Sequence, residues 1–175
     1  MRLSVIKQLF LLVFLLITSS SVLANLEVGD KAPNFILNDQ NNEAHQLSDY
    51  EGRWVILYFY PKDDTPGCTT QACDFRDAVK RIIASRSVVF GLSLDSVESH
   101  KRFSDKNNLP FSLLSDEEGV AAKSYDSLNN FMGYKSAKRN TFIINPQGFL
   151  SKIYLSVDPK THSQMVLSDL SLLQK

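Results

Sequence analysis

The chain has 175 residues, 43% of them hydrophobic, enough for one domain with a sizeable core. Its 19 basic and 19 acidic residues balance to zero formal charge and are dispersed, so no basic block is available to grip a nucleic acid or an acidic membrane. A small neutral partner or substrate is what this charge pattern leaves open.

The first 24 residues, MRLSVIKQLFLLVFLLITSSSVLA, set Arg2 and Lys7 ahead of an unbroken apolar run from Leu9 to Ile17. Small and polar residues follow, with Val22 and Ala24 placed as at a signal peptidase site. The segment reads as a signal peptide cleaved after Ala24, leaving residues 25–175 as one mature domain with no stable membrane insertion. An uncleaved anchor is the rival reading, but the apolar run is only about half of the ~20 residues a spanning helix needs. No other stretch is long and apolar enough to cross, and no Cys stands at the cleavage position to carry a lipid. Export, with the periplasm as the expected destination, places the mature chain in an oxidising compartment.

Residues 25–53 read as mostly irregular, with a short strand starting in APNFIL and a turn at NDQNNE. The run WVILYFY, Trp54 to Tyr60, has no alternation, as expected for a strand buried on both faces, and it stops at Pro61. From Pro66, the residues Ala72, Phe75, Val79, Ile82 and Ile83 recur at helical spacing, which predicts an amphipathic helix ending near Arg86. Val88 to Leu94 is a second buried strand, and Asp95 with Glu98 resembles the start of a helix running to about Asn107. FSLLSD is a short strand, with Asp116 as the cap of a helix containing EEGVAAKSY. Asp126 to Lys138 shows no period and reads as a loop. NTFIIN, PQG and FLSKIYLSV then read as strand, turn and strand, and Asp158 with Pro159 opens a last helix bearing Val166, Leu170 and Leu173 on one face. This order predicts an α/β domain with a central mixed β-sheet flanked by helices. His45, His100 and His162 are scattered, which predicts surface positions.

The only cysteines, Cys68 and Cys73, lie five positions apart, just past the carboxyl end of the first buried strand, where chemistry tends to sit in such sheets. Count and compartment favour a structural disulfide. Metal binding is weaker, since two cysteines with no nearby His supply half of a tetrahedral zinc set. Cys68 falls in the first turn of its helix, where unpaired N–H groups and the positive end of the dipole favour a thiolate. Gly67 allows close approach of a backbone or small substrate, while Pro61 and Pro66 restrict the loop. On an ideal helix, residues five apart are rotated by about 140° and lie roughly 8 to 9 Å apart at Cα, beyond the ~7 Å that a disulfide tolerates. If both cysteines are helical, they join only when that turn unwinds, as a catalytic pair can. If the helix begins after Cys73, the structural bridge returns.

PKDDTPGC, residues 61–68, resembles the peroxiredoxin active-site pattern of Pro, three residues, Thr, two residues and Cys. The second Cys in TTQACDFRD is placed as in the bacterioferritin comigratory protein, or Q-type, branch of that family. The resemblance extends through GDKAPNFIL, LSDEEG and RNTFIINPQG, nearly the whole mature chain. It implies a thioredoxin-like fold of the peroxiredoxin type and a peroxidase that needs no cofactor. By position Cys68 would be the peroxidatic cysteine and Cys73 the resolving one. Thr65 and Arg139 match the other active-site polar residues, Pro61 matches the proline shielding the thiolate, and Thr65, Gly67, Cys68 and Arg139 would hold the substrate. The implied substrates are hydrogen peroxide and small organic hydroperoxides. Cys68 would become a sulfenic acid that condenses with Cys73. With export, the recycling partner would be an exported thioredoxin-like or glutaredoxin-like protein, and the chain is expected as a monomer or weak dimer. Two departures stand out: Tyr125 to Lys138 does not follow the usual family wording, and many relatives lack a signal peptide.

Read singly, Thr65 is a helix cap, Arg139 a surface cation and Pro61 a strand terminator. Tyr58, Phe59 and Tyr60 are core, and Gln71, one turn after Cys68, could help shape the pocket. Pro61, Thr65, Cys68 and Arg139 together are not explained that way. Two other functions compete with the peroxidase. A thioredoxin-type thiol:disulfide oxidoreductase lacks its C-x-x-C pair here, and a non-enzymatic exported module would use Cys68 and Cys73 as a staple.

Overall fold

A computed structural model describes residues 25–175, so the segment read as a signal peptide lies outside the described residues. The described chain opens with β1 (Ile36–Asn38) and β2 (Ala44–Gln46), paired antiparallel, then a 3-10 turn over Leu47–Tyr50. Sequence reading expected only the first of these, because β2 carries no apolar alternation. Its hairpin is closed by Asp39, whose Oδ1 accepts from the N–H groups of Asn41 at 2.8 Å and Glu43 at 3.1 Å. Further strands are β3 (Trp54–Phe59), β4 (Ser87–Ser93), β5 (Leu113–Ser115), β6 (Leu128–Phe131), β7 (Tyr134–Ala137), β8 (Thr141–Ile144) and β9 (Leu150–Tyr154). The helices are α1 (Pro66–Ala84), α2 (Val97–Asn107), α3 (Val120–Ser124) and α4 (His162–Leu173).

One sheet runs in the order β2-β1-β5-β4-β3-β8-β9, with β4 parallel to both its neighbours and every other pair antiparallel. It is the expected mixed sheet flanked by helices. β3 lies inside it and is buried on both faces. Ile56, Tyr58 and the following Tyr60 pack under α1, α2 and α4, while Val55, Leu57 and Phe59 pack against Leu47 and the α3 residues Ala121 and Ala122. Burying each such side chain contributes about 1.5 to 3 kcal/mol, which is why the strand reads as an unbroken apolar run.

The predicted helices differ in detail from those observed. α1 buries Ala72, Phe75 and Ile82 as its spacing requires, but Ile83 is 63% exposed. α2 is capped by Ser96, whose hydroxyl accepts from the N–H of Ser99 at 3.3 Å; Asp95 is turned elsewhere. Asp116 reaches α3 from four residues before its start, its carboxylate accepting from Ala121 N–H at 3.2 Å and Ala122 N–H at 2.7 Å. α4 begins at His162, after rather than at Pro159. The segment 126–138 is not a loop but the β6–β7 hairpin, turned at Met132 (φ 50°) and Gly133 (φ 87°), the two positive φ values that a two-residue hairpin turn requires. Its strands, LNNF and YKSA, present no alternating apolar face, so periodicity could not find it.

The histidines also depart from expectation. His100 is 0% and His162 1% exposed, and the side chain of His45 is 15% exposed. His162 is wedged edge-on between Phe75, at 5.7 Å between ring centroids, and Tyr154, at 5.1 Å. Neither of its ring nitrogens has a hydrogen-bond partner among the described residues. Burial lowers its pKa from 6.5 to about 4, against a smaller opposing pull from Asp74. The unfolded chain therefore takes up a proton below about pH 6.5 that the folded chain refuses until about pH 4. Stability is expected to fall by about 2 kcal/mol between pH 7 and pH 5 from this group alone. Urea unfolding at the two pH values checks this, and His162→Phe should remove that part of the slope.

Candidate active site

The chain leaves β3 through Tyr60 and half-buried Pro61, crosses a short loop and enters α1 at Pro66. Thr65 occupies the N-cap with extended backbone (φ −83°, ψ 147°), and Pro66 follows at a position where a missing N–H costs nothing. The N–H groups of Gly67 and Cys68 fall within the first turn, where no intrahelical acceptor exists, so they point outward at the positive end of the helix. Cys68 sits in that turn and is 1% exposed.

Arg139, on the segment between β7 and β8, reaches the thiol from just ahead of β8, the strand paired with β3. Its Nη2 donates to Cys68 Sγ at 3.3 Å and its Nη1 to Gln71 Oε1 at 2.6 Å. Gln71 lies one turn after Cys68 on the same helix and is 0% exposed. A neutral amide therefore holds one side of the guanidinium, and among the described residues Arg139 forms no ion pair. Its positive charge is left to the sulfur. Gly67 makes room for this: a Cβ there would lie 3.2 Å from Arg139 Nη2. The neighbour at Gly67 is the arginine side chain, where the sequence predicts a backbone or a small substrate.

Thr65 departs from expectation. Its side chain does not cap α1, and its Oγ1 donates to the Lys62 carbonyl oxygen at 3.0 Å, so its proton is committed within the loop. Its lone pairs remain available to accept. Tyr58, Phe59 and Tyr60 are core as expected, Tyr58 stacking on Phe75 of α1 at 4.7 Å. Sequence reading left the role of Gln71 open; nothing in its local pattern announces a partner 68 positions away.

Cys68 and Cys73 are both free and both lie inside α1, with Cys73 half-buried. The condition attached to their spacing is met: on an intact helix the pair is too far apart for a disulfide. Closing one must unwind the turns around Cys73. Asp74, the next residue, holds the first turn of α4, its Oδ2 accepting from Ser163 N–H at 2.7 Å. Amide exchange between Thr69 and Asp77 is therefore expected to accelerate when the pair is oxidised, read by mass spectrometry of the two redox forms. Equal protection in both would contradict the unwinding.

The chain is similar to known proteins over most of its length. The AhpC/TSA family matches residues 28–153. Peroxiredoxin Bcp of Bacillus subtilis is 44% identical over 149 residues, covering 83% of this chain and 95% of the relative. A Cys-to-Ser mutant of Xylella fastidiosa PrxQ superposes with a TM-score of 0.82 at 30% identity, over 87% of this chain and 99% of that one. The bacterioferritin comigratory protein of Xanthomonas campestris, described for its alkyl peroxide reduction activity, gives 0.76 at 31% identity, over 81% and 92%.

Proposed function

We propose, from the premise that the chain belongs to the AhpC/TSA family and is, with its Bcp and peroxiredoxin Q relatives, a thiol-dependent peroxidase, that it works outside the cytosol with Cys68 as peroxidatic and Cys73 as resolving cysteine. The fold is the thioredoxin-like peroxiredoxin fold. Peroxide substrates and a thioredoxin-type reductant go with that family, and the thiol:disulfide oxidoreductase and stapled-module readings are not favoured.

In the first step the Cys68 thiolate attacks one peroxide oxygen. An S–O bond forms, the O–O bond breaks, and the departing oxygen takes a proton to leave as water or an alcohol. Arg139, steadied by Gln71, holds the thiolate and then the charge that grows on the leaving oxygen. The N–H groups of Gly67 and Cys68 assist, Thr65 Oγ1 accepts from the peroxide O–H, and Pro61 shields the sulfur. In the second step Cys73 sulfur displaces the sulfenic hydroxyl as water, forming the Cys68–Cys73 disulfide. An external dithiol returns the two electrons.

Hydrogen peroxide and small organic hydroperoxides are the substrates of this reading, the latter supported by the alkyl peroxide activity of the Xanthomonas relative. The N-terminal sequence supports cleavage after Ala24, a periplasmic location and an exported thioredoxin-like or glutaredoxin-like reductant acting on a monomer or weak dimer. Fractionation of cells expressing the tagged full chain tests this, and an uncleaved cytosolic product would refute export.

The observation that carries the residue assignment is the 3.3 Å approach of Arg139 Nη2 to Cys68 Sγ at the start of α1. Its test is rapid mixing of the reduced mature protein with one equivalent of hydrogen peroxide, following thiols by mass spectrometry. Fast loss of both thiols with an intramolecular disulfide is expected. Loss no faster than that of free cysteine would overturn the assignment.

A further inference from the structure

Asp63 lies in the loop ahead of α1, yet its side chain is 3% exposed and takes no part in the steps above. Its Oδ1 accepts from Tyr60 OH at 2.8 Å, and its Oδ2 accepts from Ser99 Oγ at 2.8 Å and meets His100 Nδ1 at 2.9 Å. The other ring nitrogen of His100, Nε2, faces the Leu114 carbonyl oxygen at 3.2 Å. Both ring nitrogens thus face oxygen atoms contributed by other elements of the fold. The backbone N–H of Asp63 donates to Asp95 Oδ2 at 2.9 Å, and that carboxylate is itself held by Ser93 Oγ at 2.7 Å. The loop is thus tied to residues following β3 and β4, to α2 and to β5. Burial pushes the Asp63 carboxyl up, but His100, Ser99 and Tyr60 outweigh it and hold it below the ordinary carboxylate range.

A buried polar cluster is a poor device for stability alone, since well-packed apolar residues often serve as well. The neighbouring backbone gives this one a purpose. Asp64 adopts left-handed backbone at φ 57°, a conformation that is uncommon for a non-glycine residue and persists where the surroundings hold it. Thr65 then bonds back to Lys62, and the helix bearing Cys68 begins. Asp63 is the fixed residue beside that turn.

We propose that the Asp63–His100 pair is a positioning device for the peroxidase site. It sets the loop ahead of α1 so that Cys68 and Arg139 keep their geometry for attack on peroxide. This rests on the peroxidase reading above.

Rapid mixing separates Cys68 oxidation from disulfide closure and so tests the pair. His100→Asn leaves an amide nitrogen near the place of Nδ1, keeping a donor to Asp63; His100→Gln moves the amide toward Leu114 and takes that donor away from Asp63. His100→Gln should slow oxidation about tenfold, within the ~100-fold that a 1 Å misplacement can cost, with closure unchanged. His100→Asn should recover most of the loss. Tyr60→Phe, which removes one donor from Asp63, should show the same split at about threefold, and it carries the test if His100→Gln does not fold. Oxidation unchanged in the folded variants, equal loss in the two His100 variants, or a joint decline of both steps with thermal stability would overturn the proposal. Slow oxidation of the unmodified protein would instead strike at the peroxidase assignment itself.

Discussion

Cys68→Ser is expected to abolish peroxide turnover, a loss on the order of 10⁴-fold or more, the scale on which removing a nucleophile acts. A serine hydroxyl is not ionised near neutral pH, so the cation of Arg139, 3.3 Å from the sulfur it replaces, has no anion to hold. Cys73 is not expected to take over, because it lies beyond the first turn of α1 while Arg139 donates to Cys68 and Gln71. Cys73→Ser should behave differently. Oxidation of Cys68 keeps its rate within about twofold, since the transition state contains no resolving thiol, but the protein stalls as a sulfenic acid after one event. Peroxide consumption under an excess of a dithiol protein, beside a single-turnover titration, reads both variants. Retained full turnover in Cys68→Ser would sink the assignment.

Arg139→Met is expected to lower the second-order rate of Cys68 oxidation by about 10²- to 10³-fold, the magnitude lost with one preorganised donor to a developing negative charge. The effect is large because this cation has no ion pair among the described residues to divide its charge. Its removal also strands Gln71 Oε1 at a site that is 0% exposed. Arg139→Lys restores the charge without the fork that meets Gln71 and Cys68 at once, and should recover only part of the rate. Stopped-flow oxidation of the two variants checks this. A rate for Arg139→Met within about threefold of the parent would remove the guanidinium from the mechanism.

The sequence was most legible where a single physical constraint acts locally. An unbroken apolar run announces a strand buried on both faces, and β3 is one; helical spacing announces α1. Features that depend on distant partners were not legible. His100 sits between Ser99 and Lys101 on a helix whose flanks are polar, and its burial is made tolerable by distant partners, Asp63, 37 positions away, and the Leu114 carbonyl oxygen. The β6–β7 hairpin is held by backbone pairing with no apolar face to betray it. Arg139 has no local signal at all, and only the family resemblance singled it out. Thr65 was placed correctly on the chain, but its hydroxyl proton goes to Lys62, a choice set by the left-handed turn at Asp64 that no residue pattern displays.

The contact between α1 and α4 bears on how readily the cysteine pair gives up its electrons. Unwinding around Cys73 on disulfide closure is expected to release Asp74 from the Ser163 N–H and to disturb the seat of His162 against Phe75. The free energy of that docking belongs to the dithiol form only, so it raises the reduction potential of the pair, by about 30 mV for each 1.4 kcal/mol. A firmly seated C-terminal helix makes the disulfide easier for a weak reductant to open, and a loosened one makes it harder. Redox poise is thus adjustable from a helix that contains neither sulfur.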